Sequence, residues 1–435
     1  MFLAPLMAAR HSFLMESSMA VTGLHYFPDT LHYRQSDLAT WLPELHELGV
    51  GWLALRAESS RAVPEFFLRS LIGAGITPIL QFQLALHQPP QVEDLRPLLC
   101  AYSAWGVRYV VLFERPNQRT AWPEDEWLGE DLVERTLDRY LPLAEAALDA
   151  GLLPVFPPLE PGGSYWDLSF LSAALQALQR RRQTQLLETL TVSAYAHYYG
   201  HSLNWGLGGA VRWAGVRPYL TPEGSEDQRG FRQYEWIQAV IQKQLGGPRP
   251  MLLLEAGADA PVDIQLAAVR LTNGQATPDP NNRSHPLAPL GTEVLGCCFW
   301  LLSAAPDSPD ADKAWYSTDG KASELAQKVK ALPRPMAPKQ APAGQQRPIK
   351  RYVLLPGYEW GIADWHFEAI RPYVKKYRPT IGFSLAEAAL AEIVLVIGGE
   401  KDFSEEALNR LRRAGCRVER INETGTTLAT ILAER

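Results

Sequence analysis

The sequence predicts an α/β protein, a (β/α)8 barrel followed by a small parallel α/β domain, and three observations carry that prediction. Strand and helix patterns alternate about eight times between Val21 and Leu332, joined by short connections. Two apolar runs, Tyr109–Phe113 and Met251–Leu254, end abruptly in the charged residues Glu114 and Glu255. Buried parallel strands look like this when they deliver polar side chains to the open end of a barrel. A proline-rich stretch, residues 333–349, then separates this pattern from a second, shorter alternation over residues 350–435.

The elements follow in order from Val21. Strand Val21–Pro28 leads to an amphipathic helix over Asp37–Leu48, which Gly49 stops. Strand Gly51–Ala57 precedes helix Pro64–Ala74 and its Gly75 stop, and strand Thr77–Leu84 carries a proline only at its start. Helix Val92–Trp105 closes at Gly106 before strand Arg108–Phe113. Helix Leu132–Ala150 has apolar residues at helical spacing and ends at Gly151. The second half repeats the pattern, with strands Leu153–Pro157, Thr191–Tyr198, Pro250–Glu255 and Val294–Leu302. Helices Leu168–Leu187, Tyr234–Leu245, Val262–Leu271 and Ser323–Leu332 alternate with them. The small domain reads as strands Arg351–Leu355, Thr380–Phe383, Glu392–Ile397 and Arg417–Ile421. Between them lie helical stretches over Asp364–Lys376, Ser384–Ala391 and Ser404–Ala414.

Composition narrows the function classes. The 435 residues are 46% hydrophobic and 21% charged, with a net charge of -6. That balance is ordinary for a globular chain, and the lack of a basic block argues against a nucleic-acid partner. No apolar run is long enough to span a membrane. Residues 1–20 read as an N-terminal extension that fits a signal peptide poorly, because Arg10 and His11 interrupt its apolar start. A cytoplasmic or non-classically exported protein is the corresponding expectation. The four cysteines form no CxxC pair, and the adjacent Cys297 and Cys298 read as buried thiols. His197 and His201, with no carboxylate or cysteine at ligand spacing, predict no metal site, and nothing calls for a cofactor.

Active sites of (β/α)8, or TIM, barrels collect at the C-terminal strand ends. Here those ends supply His25 and Tyr26, Arg56, Gln81 and Gln83, then Glu114, Arg115 and Asn117. Glu160, Tyr195, His197, Tyr198, Glu255 and Trp300 complete the ring. Indoles stack on sugar faces and charged side chains bind hydroxyl pairs, so the set suits an oligo- or polysaccharide. The loop tryptophans Trp122, Trp127, Trp166, Trp205 and Trp213 would add a sugar platform on the same face.

On these residues the chain resembles the clan A glycoside hydrolases, retaining barrel enzymes with carboxylates after strands four and seven. Arg56 matches the strand-two arginine, and Leu253-Leu254-Glu255-Ala256-Gly257 resembles the nucleophile strand. Val192-Ser193 with Tyr195 and His197 resembles the strand-six motif with its aromatic pair in swapped order, and Trp300 matches a strand-eight tryptophan. The resemblance implies Glu255 as nucleophile, with Arg56, Arg115, Asn117, Tyr195, His197 and Trp300 binding substrate. The strand-four signature, Asn-Glu-Pro-Asn, departs: this chain reads Glu114-Arg115-Pro116-Asn117. In register with Pro116 and Asn117, Arg115 takes the acid/base position, and an arginine stays protonated.

Three arrangements are open. The barrel has lost hydrolysis and binds a glycan as a pseudoenzyme or scaffold, with Arg115 paired to Glu255. Glu114 serves as the catalytic proton donor through a shifted strand end. Glu160 or another loop carboxylate supplies the acid. Separately, Val394–Ala433 resembles a bacterial cell-wall-binding repeat, through Ile397-Gly398-Gly399, Arg420-Ile421 and Thr426-Thr427-Leu428-Ala429, with Asn422 where the repeat has glycine. That resemblance implies an anionic envelope polymer as partner of the small domain. Dimerisation or stabilisation is the alternative role.

Overall fold

The computed structural model describes residues 21–333, 349–356, 364–388, 391–413, 416–423 and 425–434. The N-terminal extension and nearly all of the proline-rich stretch lie outside them. The chain divides into two compact units, Met1–Pro335 and Met336–Arg435.

The first unit is a closed parallel barrel. Its strands are β1 (Val21–His25), β2 (Trp52–Ala57), β3 (Thr77–Phe82), β4 (Tyr109–Val111), β5 (Leu153–Phe156), β6 (Thr191–Tyr195), β7 (Met251–Ala256) and β8 (Val294–Phe299). They close in the order β1-β8-β7-β6-β5-β4-β3-β2. Strand β4 stops at Val111, short of its apolar run, so that Glu114 and Arg115 leave the ladder, whereas β7 runs on through Glu255 to Ala256. Alternation sends Ala54, Ile79, Tyr109, Val111, Val155, Tyr195, Leu252, Leu254 and Cys298 into the barrel interior. Trp52 fills the interior at the level where Gly23 and Gly296 face it. A Cβ on Gly296 would meet the indole at 2.7 Å, and one on Gly23 would meet Cys298 Sγ at the same distance. Only glycine leaves room for the ring there.

Helices α1 (Gln35–Glu47), α2 (Glu65–Gly73), α3 (Val92–Ala104), α4 (Leu132–Asp149), α5 (Asp167–Arg180), α6 (Gln233–Leu245), α7 (Val262–Thr272) and α8 (Glu324–Lys330) surround the strands. In α4, Val133, Leu137, Tyr140, Leu141, Ala144 and Ala147 form the buried stripe that its helical spacing predicts. Gly151 ends α4 with φ 89°, its amide bonded to Leu148 O and that of Leu152 to Ala147 O. The helix expected over Leu168–Leu187 is instead two, α5 and the short Thr184–Glu188. Arg182, at φ 56°, adopts the same terminating geometry, with its amide on Gln179 O and that of Gln183 on Leu178 O. Glycine ordinarily signals this motif, and none stands here.

Between α7 and β8 an antiparallel hairpin, Pro278–Asp279 with Asn282–Pro286, meets the loop that follows β6. Ser202 Oγ donates to Asp279, and Asn281 Nδ2 lies 3.3 Å from the Tyr198 hydroxyl.

The second unit is a four-stranded parallel sheet of β9 (Ile349–Leu354), β10 (Thr380–Gly382), β11 (Ala391–Ile397) and β12 (Arg417–Ile421), in the order β10-β9-β11-β12. Tyr352, Leu354, Val394 and Val396 face one apolar layer, and Val353, Leu355, Leu395 and Ile397 face the other. Two covered faces explain why these strands read as continuous apolar runs rather than alternating ones. Among the described residues no helix is long and apolar enough to cross a membrane.

Candidate active site

The C-terminal strand ends bring together Arg56, Glu114, Arg115, Glu160, Tyr195, His197, Glu255 and Trp300. Arg56 ends β2, where the Tyr33 hydroxyl donates to its backbone carbonyl at 2.6 Å. Its guanidinium forms a mostly buried ion pair with Glu114. Glu114 is thus engaged by a permanent cation.

Arg115 is the next residue and turns the chain, at φ 49°. Its amide donates to Pro158 O at 2.9 Å, tying the loop after β4 to the loop after β5. The guanidinium reaches across the mouth. Its NH2 group donates to Glu255 Oε2 at 2.7 Å, and its Nε lies 3.0 Å from Glu160 Oε2. Its Cζ stands 4.6 Å from the Tyr195 ring centroid, a cation–π contact that orients the group.

Glu255, near the end of β7, also has left-handed backbone, φ 50°. Its amide donates to His25 Nε2 at 3.0 Å, so the proton of neutral His25 sits on Nδ1. Burial, with the charge of Arg56 acting the same way, holds the His25 imidazole down at about 3 despite the opposing pull of Glu255. His25 is therefore a neutral acceptor in the floor of the site. The Glu255 carboxyl is lowered to about 2. Burial works against the anion, and the His197 hydrogen bond and the Arg115 charge outweigh it. His197 Nε2 lies 3.1 Å from Glu255 Oε2, and its ring stacks on Tyr195 at 4.9 Å. Burial raises the Tyr195 phenol well above its ordinary value.

Trp300 follows β8, and its Nε1 donates to Asp310 Oδ1 at 3.2 Å. Its ring lies 5.0 Å from His25 and 5.9 Å from the Arg56 Cζ, so it walls the same space.

Asn117 takes a different place. It is wholly buried, and its amide is spent on the loop after β5. Nδ2 donates to Glu160 O at 2.9 Å and Tyr165 O at 3.0 Å, and Oδ1 accepts from Glu160 N at 2.9 Å. Asn117, expected to bind substrate, thus has its amide committed to fixing the segment that carries Glu160. Below it, buried Asp167 accepts from Gly162 N at 3.1 Å and from the amides of Gln228 and Gln233.

The tryptophans divide. Trp122 and Trp166 are buried, Trp122 donating to Pro116 O at 2.8 Å with Arg139 over its ring. Trp205 is half-buried and stacks on His201 at 4.0 Å. Cys297 and Cys298 are fully buried, and burial pushes both thiols up. Among the described residues no three His, Cys, Asp or Glu side chains cluster as metal ligands would.

Sequence reasoning missed the site contact of Tyr199, whose hydroxyl donates to Glu160 Oε1 at 3.3 Å and lies 3.2 Å from His197 Nδ1. It also missed the floor contact of His25. The available signal was weak: Tyr199 stands two residues past His197, immediately before Gly200.

No protein-family model matches the chain, and no curated protein matches it. Solved structures do resemble it in fold. A GH39 enzyme from Xanthomonas axonopodis pv. citri is 14% identical over 72% of this chain and 65% of that one, with a TM-score of 0.44. A monomeric β-xylosidase from Caulobacter crescentus CB15 is 12% identical over 72% and 69%, at 0.45. A cold-adapted β-galactosidase from Rahnella sp. R3 is 9% identical over 93% and 71%, at 0.39. The chain thus spans just under two thirds of the length of the first of these.

Proposed function

We propose that the barrel mouth binds an oligo- or polysaccharide and does not hydrolyse it by the retaining two-carboxylate route. One observation carries the proposal: Arg115, in sequence register with the acid/base position, bonds Glu255 Oε2 at 2.7 Å through a guanidinium that keeps its protons. Retaining hydrolysis needs a second carboxyl about 5–5.5 Å from the nucleophile, able to give up and regain a proton. Arginine cannot do this, and Glu114, the adjacent carboxylate, is engaged by Arg56. The ionisable groups of the mouth neutralise one another instead of being set apart as an acid and a base. Trp300 and His197 remain as candidate sugar-facing surfaces over the buried Tyr195, with Arg56 and Arg115 as hydroxyl donors.

A second reading keeps Glu255 as nucleophile and Glu114 as proton donor. The lowered Glu255 carboxyl favours it, since a nucleophile must be ionised. Aryl glycoside turnover and calorimetry with neutral oligosaccharides separate the two. Binding heat without turnover supports the proposal, and turnover abolished by Glu114→Ala or Glu255→Ala supports the second reading. The partner proposed for the small domain is an anionic envelope polymer, on the resemblance of Val394–Ala433. Co-sedimentation of the full chain with isolated cell walls tests that part, and a chain that stays in the supernatant refutes it.

A further inference from the structure

A cleft of about 420 Å3 opens between α5, the start of α6 and the long segment that follows β6. None of the residues that line it belongs to the barrel mouth. Trp166, Trp236, Val216 and Pro218 make its apolar walls, and Ser169, Ser172, Gln176 and Arg217 bring polar atoms to it. Its volume suits a small organic molecule. The outer wall is held in place. The backbones of Arg217 and Leu220 bond each other in both directions at 3.0 Å, which closes a tight turn. Within that turn Tyr219, at φ 63°, accepts from the Trp166 amide at 3.2 Å, and its ring meets the Trp166 indole edge-on at 5.4 Å. The same wall leaves large apolar side chains in water: Val211, Tyr219 and Leu220 are 85%, 70% and 59% exposed. Apolar exposure gathered in one segment marks a binding surface more often than scattered exposure does.

The polar atoms decide what fits. Trp166 is only 6% exposed, yet its indole N–H has no acceptor among the described residues. Ser172 Oγ accepts from Gln244 Nε2 at 2.8 Å and keeps its own proton to donate. Arg217 spends one guanidinium nitrogen, Nη1, on Ala214 O and Val216 O of its own turn. Its Nε and Nη2 meet no acceptor, and it makes no ion pair, among the described residues. No aspartate or glutamate lines the cleft. The nearest acid in sequence, Asp167, is buried and committed to Gly162 N and the amides of Gln228 and Gln233. The cleft therefore offers donors and one positive charge beside two indoles, with no anion of its own. An anionic acceptor on an apolar body complements that set.

We propose that this cleft is a second binding site, separate from the mouth, for a small carboxylate carried on an apolar ring. The ring packs against the walls made by Trp166 and Trp236, and Arg217 takes the carboxylate. The site stands whatever the mouth binds.

The test uses 2-naphthoate as probe and 2-naphthamide as its uncharged counterpart, each titrated against the full chain by ligand-observed NMR at neutral pH. The acid should bind saturably, with a Kd on the order of 1 mM or below. It should bind about fivefold tighter than the amide, which is the gain from one solvent-exposed ion pair. Arg217→Gln should erase that difference, and high salt should narrow it. Ala173→Trp, which puts an indole into the cleft, should abolish binding of both probes. Equal affinities for acid and amide, binding untouched by Arg217→Gln or by Ala173→Trp, or no saturable binding at millimolar concentrations would overturn the proposal. Cellotriose binding that Ala173→Trp abolishes and Arg217→Gln spares would make the cleft a sugar site and overturn it equally. Arg217 is exposed, so its variant keeps the test decisive where Ala173→Trp disturbs α5.

Discussion

Arg115 and Glu255, 140 positions apart, face each other at 2.7 Å, each on left-handed backbone at φ 49° and 50°. The arginine is in sequence register with the acid/base position of the resembled strand-four signature, and the carboxylate it pairs with is the one the strand-seven resemblance marks as nucleophile. What the mouth can do depends on this pair, and four measurements probe it and its supports.

Acid stability reports Glu255. Its folded carboxyl is lowered to about 2, so it stabilises the protein above its unfolded value and loses that contribution as pH falls from about 4.5 towards 2. Glu255→Gln should therefore lose less stability than the parent between these pH values. Urea midpoints measured across that window check the difference in slope.

Asn117 should matter to stability before it matters to binding. Asn117→Ala leaves a part-buried amide and two part-buried carbonyls of the β5 loop without their partner, at about 1–3 kcal/mol. Chemical denaturation should show that loss. A variant as stable as the parent would mean that the loop is held by other contacts.

Trp300 should matter to binding. Trp300→Ala removes the aromatic wall above His25 and should weaken oligosaccharide affinity by about tenfold, roughly one aromatic contact. Trp300→Phe, which keeps a ring, should recover part of it. Calorimetry on the two variants reads the difference.

Much of this site is legible in the amino-acid sequence. The strand ends at Glu114 and Glu255 follow from apolar runs cut short by charged residues, and the register of Arg115 follows from Pro116 and Asn117. The direction of Asn117 is not legible there, because it depends on the path of the β5 loop, which only tertiary contacts set. Nor are the pairing of Arg115 with Glu255 and the contact of Tyr199 with Glu160, since Arg115, Tyr199 and Glu255 take left-handed backbone that local propensity disfavours. Arg182 fails to announce the end of α5 for the same reason: neighbours impose a conformation that glycine would have advertised.

The central claim is that Arg115 stands where catalysis needs an acid. The direct measurement is aryl glycoside turnover by the parent and by the double variant Glu114→Asn/Arg115→Glu, which writes Asn-Glu-Pro-Asn in register. The parent should show no turnover and the double variant measurable turnover, lost again on adding Glu255→Ala. Turnover by the parent at enzymatic rates, abolished by the double substitution, would contradict that claim.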